Sequence, residues 1–394
     1  MRRITTILAI MAALAAGAGL AAAAEHGSNR PPSAVVRPDA TAAAGRALEG
    51  DLAWALGQVP KTAPGRAFWV GYSIDRLQGE RSHIGSFNPG NAGRDLTVAE
   101  VLAGKTVPAA AENAGEIVRK AARAALDEIE GRGQPEKPEK EVVKELGFFL
   151  KYEPGKTPVL GEVGMSNLEL AFDFEGLTLF WLGKAPEDKS LALVRRLYGS
   201  AKNDDIREDL IAAAGCHGTP ALVVPVLAAI LGGDASDELR KGAAFWIGQQ
   251  NDAEGLRLLA RTARQDRSEE VREGAVFSIS QIELPAAVDE IIALARSAEK
   301  RDVRKQAVFW LGQMASEKSG LALEEFARKD GDTEIQEQAV FALSQLPDDQ
   351  GVDALIKLAK THPDPRIRKK AVFWLGECDD PRALETLIGI VKGK

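Results

Sequence analysis

A short pattern of apolar and polar residues recurs through the C-terminal half of the chain at a constant interval. One copy reads RKQAVFWLGQ (304–313), and the others keep a phenylalanine preceded by small or β-branched residues. The shared aromatic residues are 32 positions apart, at Phe245, Phe277, Phe309, Phe341 and Phe373. A fixed period of this length is typical of stacked solenoids, in which each unit buries its apolar face against its neighbours.

Each period contains two segments whose apolar residues recur at intervals of three and four, which predicts two helices. The first predicted helix of one unit has an apolar stripe formed by Leu321, Leu323, Phe326 and Ala327. The second has a stripe formed by Val303, Ala307, Trp310, Leu311 and Met314. Asp-Pro pairs at 364–365 and 380–381 are helix starts, because aspartate caps a helix and proline fits its first turn.

Two weaker copies extend the series towards the N-terminus. LTLFWLGK places Phe180 65 residues before Phe245, and IREDLIAAAGC places Ala212 at the phenylalanine position between them. With these copies the series predicts about seven repeats over residues 176–394.

The last complete copy carries a recognisable family motif. Asp364-Pro365-Arg366-Ile367-Arg368, closed by Leu375-Gly376, resembles the HEAT repeats of phycobilin-lyase type, and Val271-Arg272 and Val303-Arg304 match it more briefly. The resemblance implies a mostly α protein, a right-handed α-solenoid of two-helix repeats with the second helices on its concave side. HEAT arrays serve many tasks, so the resemblance specifies the fold more closely than the function.

The adjacent aromatic residues of the motif point in different directions on a helical wheel. Side chains rotate about 100° per residue, so Trp310 is predicted to pack in the core while Phe309 faces the open side. In stacked units the phenylalanines form a ladder beside a row of polar residues: Phe245, Phe277, Phe309, Phe341 and Phe373, with Gln249, Gln281, Gln313, Gln345 and Glu377. An apolar stripe flanked by amides predicts a binding surface for a protein or peptide segment. The alternative is that the rings pack between neighbouring repeats, about 10 Å apart.

Charged residues also alternate in sign, one in each unit: Glu208, Lys241, Glu273, Lys305, Glu337 and Lys369. Neighbours in this series are expected to pair and to maintain the register between units. Each exposed pair contributes well under ~1 kcal/mol.

The first residues have the pattern of a secretory signal peptide. Arg2 and Arg3 precede an apolar stretch, and Ala22-Ala23-Ala24 offers a cleavage site before Glu25. A buried N-terminal helix and a retained membrane anchor are the alternatives for residues 1–24. No later stretch is long and apolar enough to span a bilayer, so the mature protein is expected to be periplasmic or secreted.

The residues between this leader and the repeats differ from both. Residues 25–59 are interpreted as a flexible lead and a short helix, and residues 60–175 as a small α+β domain that caps the array. Predicted strands lie at 67–74, 147–153 and 167–175, with a helix at about 112–130. A Gly/Pro loop at 85–95 is either a solvent loop or part of a binding site.

The sequence offers little chemistry. The formal charge of −7 argues against nucleic acid as a partner. The four histidines lack metal-ligand spacing, no phosphate loop or nucleophile elbow is present, and no cofactor is predicted. Cys216 and Cys378 lie in different repeats and are predicted to be free thiols.

These observations predict an exported, non-enzymatic scaffold or adaptor that binds a protein or peptide segment on the concave face. The alternative is a lyase-like or otherwise catalytic protein. Its site would lie where the N-terminal domain joins the first repeats, near His83 or His217.

Overall fold

The computed structural model describes most of the chain, in the ranges 29–38, 47–80, 82–85, 96–105, 140–233, 236–314, 316–347 and 350–392. The predicted signal peptide, the predicted helix at 112–130 and most of the 85–95 loop lie outside these residues. The chain divides into two compact units, residues 1–218 and 219–394. None of the described helices is long and apolar enough to cross a bilayer.

The first unit combines a five-stranded sheet with helices, as the α+β prediction requires. The strands are β1 (Ala34–Val36), β2 (Phe68–Gly79), β3 (Glu141–Glu153), β4 (Val159–Asn167) and β5 (Thr178–Lys184). The described helices are α1 (Leu48–Thr62), α2 (Val98–Leu102), α3 (Glu187–Ser200) and α4 (Asp204–Gly215). The strand order is β1-β5-β2-β3-β4; β3 is antiparallel to β2 and β4, and β5 is parallel to β1 and β2.

One face of this sheet carries a cluster of large aromatic side chains: Trp69, Phe149, Phe174 and Trp181, with Phe172 packed against them. Three adjacent strands present glycine beneath these rings. A Cβ at Gly71 would lie 3.0 Å from the Phe149 ring, and one at Gly164 would lie 2.6 Å from the Phe172 ring. The aromatic core therefore depends on glycine at these strand positions, because a larger residue would clash with the rings.

The predicted strand at 167–175 is wrong beyond Asn167, where β4 ends. Phe172 and Phe174 alternate with polar residues because both turn into the aromatic cluster. Within the part of the chain that the structure describes, the backbone around them forms only a single bridge, between Ala171 and Thr97. Such alternating burial in an unpaired segment gives the same sequence pattern as a paired strand, so the sequence alone does not distinguish the segment from a strand.

The predicted start of the solenoid at residue 176 is also wrong. Residues 178–184, which carry Phe180 and Trp181, form β5 between β1 and β2 rather than a repeat helix. The sequence FWLG at 180–183 matches the repeat motif, but the segment is a strand and Phe180 is fully buried in the sheet. The first helix pair is α3 and α4, in the first unit.

The second unit is the predicted helical array. Its first helices are α5 (Pro220–Leu231), α7 (Ala253–Gln265), α9 (Pro285–Ser297), α11 (Glu317–Lys329) and α13 (Val352–Thr361). Its second helices are α6 (Asp237–Gly248), α8 (Glu269–Ser280), α10 (Arg301–Met314), α12 (Thr333–Ser344) and α14 (Pro365–Gly376). A further helix, α15 (Pro381–Val391), follows the fifth pair. Predicted caps are present, since Asp364 and Asp380 accept hydrogen bonds from the backbone of α14 and α15.

The register between repeats is set by arginines that reach forward into the next unit. Arg240 binds Asp266 at 2.6 Å, Arg272 binds Asp302 at 2.8 Å, and Arg304 binds Asp330. These arginines belong to the family motif and are largely buried, so a shifted register would leave them without partners.

Three members of the alternating Glu/Lys series pair with residues outside the series, contrary to the prediction. Lys241 pairs within its own helix with Glu238, Lys305 pairs with Glu334, and Glu337 pairs with Lys370. The register therefore depends on the arginine pairs, with the exposed lysines playing a minor part.

Successive second helices approach each other at glycine. A Cβ at Gly312 would lie 2.9 Å from the Ala342 carbonyl oxygen, and one at Gly248 would lie 2.7 Å from that of Ser278. The backbones of α6 and α8, and of α10 and α12, are thus in direct contact. Successive first helices touch much less, so the second-helix side is the tightly packed side of the array.

Replacing Gly312 by alanine should destabilise the second unit by about 2 kcal/mol, because the new methyl group forces two helices apart. The same change at Gly376, the equivalent position in the last copy, has nothing within 4 Å. It should be neutral or stabilise by about 0.5 kcal/mol, since alanine favours helix over glycine. Urea unfolding of both variants measures the difference, and equal effects would contradict the close approach.

Candidate functional site

Three of the five second helices, α6, α10 and α14, present two neighbouring aromatic side chains on one partly exposed surface. In α10 the fully buried residues are Val303, Ala307, Val308 and Leu311, while Phe309 and Trp310 are both only half-buried. The prediction that Trp310 packs in the core is therefore wrong. The helix packs against its own first helix and also against the next second helix, which buries Val308 and Gly312 and turns the core face away from Trp310.

The aromatic rings of the five second helices form one continuous series, here called the aromatic row. Its members are Phe245, Trp246, Phe277, Phe309, Trp310, Phe341, Phe373 and Trp374. The rings contact each other in the order Trp246, Phe245, Phe277, Trp310, Phe309, Phe341, Trp374 and Phe373, with centroids between 5.0 and 6.4 Å apart. The rings pack between repeats and also remain half-exposed, so both predicted roles of the phenylalanines can hold together.

The row has a period of two repeats. Phe245 stacks on Phe277 with centroids 6.3 Å apart, and Phe309 stacks on Phe341 at 6.4 Å. These are the helix pairs that approach at Gly248 and Gly312. Between the stacked pairs, the tryptophan of the later pair spans the gap, so that Trp310 contacts Phe277 at 5.0 Å.

Trp374 plays the same part against Phe341, at 5.2 Å. The tryptophan occurs in alternate copies because only alternate gaps need it. The sequence carried this signal in its alternating Trp, but the predicted binding residues did not include Trp246, Trp310 or Trp374.

The amides beside the row fall into two classes. Gln281 donates to the hydroxyl of Ser280 at 2.9 Å, and Gln345 donates to that of Ser344 at 3.2 Å. In the alternate copies the residue before the amide is Gly248 or Gly312, and no such serine engages Gln249 or Gln313. The amides of Gln249 and Gln313, one in every second repeat, therefore have both N–H groups available to another molecule, whereas each serine-bonded amide has one.

Charges along the row balance. The residue one helical turn before each phenylalanine is Lys241, Glu273, Lys305, Glu337 or Lys369, and Glu377 ends the row. Three lysines are thus balanced by three glutamates, and several have acidic or basic partners within the array. The row is therefore an apolar surface with neutral amides and no net charge. That the ten predicted residues bind a ligand stays a prediction.

The repeats match a known family in sequence. Residues 224–312 and 320–394 match the family described as HEAT repeats. These residues are HEAT repeats. The match confirms the repeat type that the Asp-Pro-x-Val-Arg motif predicted.

Several solved structures are similar to about half of the chain. Human deoxyhypusine hydroxylase in complex with glycerol is 19% identical over 52% of this chain and 78% of that one, with a TM-score of 0.24. The Escherichia coli protein YibA is 21% identical over 52% and 75%, with a TM-score of 0.32. The CpcE–CpcF complex of phycocyanin lyase from Nostoc sp. PCC7120 is 20% identical over 51% and 80%, with a TM-score of 0.29. No curated protein matches the chain.

The candidate residues of the catalytic alternative lie in the first unit, ahead of the matched HEAT repeats. His217 is 1% exposed and is held on both ring nitrogens, by the Ala213 carbonyl at 2.8 Å and by the Ser190 hydroxyl at 2.8 Å. Ser190 in turn bonds the buried Tyr72 hydroxyl at 3.0 Å. The histidine therefore ties the end of α4 to α3 and β2, and it cannot meet a substrate in this arrangement.

His83 belongs to a different cluster, with Glu169 at 3.0 Å and Lys144 at 3.2 Å. Neither Glu169 nor Lys144 is a hydrogen-bond partner of His217. Cys216 and Cys378 form no disulfide, as predicted. Burial raises the pKa of the Cys216 thiol to about 11, which leaves it unreactive. Among the described residues no group of three or more His, Cys, Asp or Glu side chains could hold a metal ion.

The pKa values of two groups on or beside α4 are shifted in opposite directions. Burial lowers the pKa of His217 to about 4, so its neutral form stabilises the fold above pH 6.5, and this contribution is lost as the pH falls towards 4. Burial, with Glu162 and Glu208 nearby, raises the pKa of Asp209 to about 6. Ionised Asp209 therefore destabilises the fold as the pH rises from about 4 through 6.

Replacing Asp209 by asparagine should stabilise the first unit by about 1 kcal/mol at pH 7.5, after allowance for its partial exposure. The amide can still accept the hydrogen bond from the Val163 backbone. The gain should disappear by about pH 3.5, where the native carboxyl is protonated. Urea unfolding followed by hydrogen exchange of residues 140–215 measures it. Asp205→Asn on the same helix is the control, and a gain independent of pH would contradict the assignment.

Proposed function

We propose that this protein is an exported, non-enzymatic scaffold that holds a segment of another protein along the aromatic row. The observation that carries the proposal is the row itself: eight rings in contact across five HEAT repeats, half-exposed and flanked by amides. A contiguous apolar patch on a protein surface usually marks a site of interaction.

The chemistry of the row suits a protein partner. Aromatic residues dominate the energetic centres of protein interfaces because they bury large areas with few rotatable bonds. Here the rings also hold each other, so Phe309 is fixed by Trp310 at 5.1 Å and by Phe341 at 6.4 Å. A surface that is already ordered loses little entropy on binding, which favours affinity.

The packing also supports a position on the inner side of the array. Successive second helices approach at Gly248 and Gly312, whereas successive first helices are less closely packed. Closer spacing on one side bends a stacked array towards that side. A segment lying along the row would then meet several repeats at once.

The catalytic alternative has less support. His217 is enclosed and committed to structural hydrogen bonds, and His83 is paired with Glu169. The row, in contrast, offers apolar rings and amides, which bind and orient a ligand but supply no nucleophile or general base. For these reasons we favour a binding role.

A photoreactive residue tests the row directly. With p-benzoylphenylalanine in place of Gln313, irradiation in an extract of the producing cells should yield a covalent adduct with a discrete partner. Leu321→p-benzoylphenylalanine is the matched control, since Leu321 is 65% exposed on a first helix. We expect at least tenfold less adduct there, because that side chain lies away from the row.

Changing Phe277 and Phe341 to leucine should lower the yield at position 313 severalfold while preserving apolar volume and fold. Mass spectrometry then identifies the captured segment. Equal labelling from positions 313 and 321, or labelling unaffected by the leucine changes, would contradict the proposed surface.

Export rests on the sequence of residues 1–24. Expressed in a Gram-negative host, the chain should accumulate in the periplasm with Glu25 as its first residue, because cleavage follows Ala24. N-terminal sequencing of the fractionated protein measures this. Replacing Ala22 and Ala24 by aspartate should block processing, and an intact Met1 in the soluble cell interior would contradict export.

A further inference from the structure

We infer that the surface formed by the last two helices, α14 and α15, binds the same surface of a second copy of the chain in a two-fold symmetric dimer. The inference does not depend on the proposed function, because it concerns only these two helices and needs no other ligand. Three features support it: exposed apolar side chains, an uncovered helix face at Gly376, and an order of side chains on α14 that is complementary to itself.

Exposed apolar side chains are concentrated in these two helices. Among the described residues, five of the ten large apolar side chains that are exposed belong to α14 or α15: Phe373, Leu384, Ile388, Ile390 and Val391. Leu384, Ile388 and Val391 follow each other at intervals of four and three residues, so they form one stripe along α15. The outermost repeat of a soluble array normally has a polar outer face. A contiguous apolar patch in that place therefore indicates a surface that another molecule covers.

The preceding repeat shows what kind of element covers such a stripe. Leu384, Ile390 and Val391 lie 32 positions after three residues of α13 that are buried: Val352, Leu358 and Ala359. Those residues are buried in α13 because that helix packs against α14. The apolar stripe of α15 is thus of the kind that packs against another helix.

The outer face of α14 is open to a helix in the same way. A Cβ at Gly312 would press on Ala342 of the next second helix, whereas a Cβ at the equivalent Gly376 has nothing within 4 Å. The glycine that elsewhere lets two helix backbones touch is present in α14 and uncovered. A helix of another molecule can therefore approach α14 as closely as α12 approaches α10.

The order of side chains on α14 identifies that other molecule as a second copy of the chain. Lys369, Phe373 and Glu377 are exposed and four residues apart, so they share one face of the helix. Two such helices, antiparallel about a two-fold axis beside Phe373, bring their phenylalanine rings together. Each Lys369 then lies next to the Glu377 of the other copy, as an isologous contact requires. The other second helices lack this order, because glutamine replaces the glutamate in each: Gln249, Gln281, Gln313 and Gln345.

The charges of this face are uncompensated within one copy. Lys305, at the position of Lys369 in α10, pairs with Glu334, but Lys369 and Glu377 form no ion pair within the part of the chain that the structure describes. Glu377 is also the C-cap of α14, where the helix dipole disfavours a carboxylate. A lysine from a second copy compensates both effects. Burial of the apolar side chains supplies the affinity, and the ion pairs fix the antiparallel orientation.

Sedimentation equilibrium of the purified mature chain tests the dimer, at concentrations from about 1 µM to about 200 µM. We expect a reversible equilibrium between monomer and dimer. Phe373→Ser should weaken the dimer at least tenfold, because the change removes an apolar ring from both copies at the axis. Leu321→Ser is the matched control and should stay within twofold, since Leu321 is similarly exposed but lies on α11. Thermal unfolding of both variants checks that the fold is retained.

Charge reversals test the two-fold arrangement. Lys369→Glu brings two carboxylates together on each side of the axis, and Glu377→Lys brings two ammonium groups together. Each variant alone should dimerise at least tenfold more weakly than the native chain, because like charges then meet twice. An equimolar mixture of the two variants should regain the native affinity within threefold, since opposite charges pair again between unlike copies. Glu299→Lys, in the exposed turn before α10, is the control with the same change in net charge and should stay within twofold.

A chain that stays monomeric over the whole concentration range would overturn the inference. A dimer that Phe373→Ser and the single charge reversals leave unchanged would also overturn it, because the contact would then lie elsewhere. If the single reversals weaken the dimer but their mixture does not restore it, the antiparallel two-fold arrangement is refuted. None of these outcomes affects the proposed function, which the crosslinking at position 313 tests separately.

Discussion

Backbone contact between successive second helices is the constraint on which the HEAT repeat portion depends. Gly248 and Gly312 remove the side chain where two helices meet, and a methyl group at either position would press on the neighbouring carbonyl. This contact brings the phenylalanines of the paired helices within stacking distance, at 6.3 and 6.4 Å. The buried arginine–aspartate pairs between successive repeats then allow only one register. Close approach, stacked rings and register are three consequences of the same packing.

The alternation between two kinds of repeat follows from that contact. Where glycine lets two second helices touch, phenylalanine stacks on phenylalanine; in the intervening gaps, Trp310 or Trp374 fills the space. The same alternation divides the glutamines, because serine takes the place of glycine in every second copy and engages the following amide. A difference of one small residue thus decides both the helix spacing and the availability of a polar group. It gives the surface a chemical period of two repeats.

The first unit is stabilised by a different device. Its sheet buries aromatic rings over glycines on one face, and on the other Tyr72 joins Ser190 and His217 in a buried hydrogen-bonded chain that reaches the end of α4. Asp209, also on α4, accepts from the edge strand at Val163. Burial shifts the pKa values of His217 and Asp209 in the directions that favour their neutral forms. The effects of the two groups on the stability of the fold oppose each other between about pH 4 and 6. Polar contacts at Tyr72 and at Val163 therefore join the sheet to the first helix pair.

The sequence by itself determined the repeat, its length, its helical content and the family resemblance, because these depend on local spacing that every copy repeats. It also predicted the phenylalanine ladder, since equivalent residues of stacked units must align. It misplaced Trp310, because the buried arc of a second helix depends on two neighbours, its own first helix and the next second helix. It assigned Phe180 to a repeat, although hydrogen bonds to strands more than a hundred residues away make that segment part of a sheet. Tertiary structure decided these points because burial and strand pairing are set by partners distant in the chain, which no local pattern records.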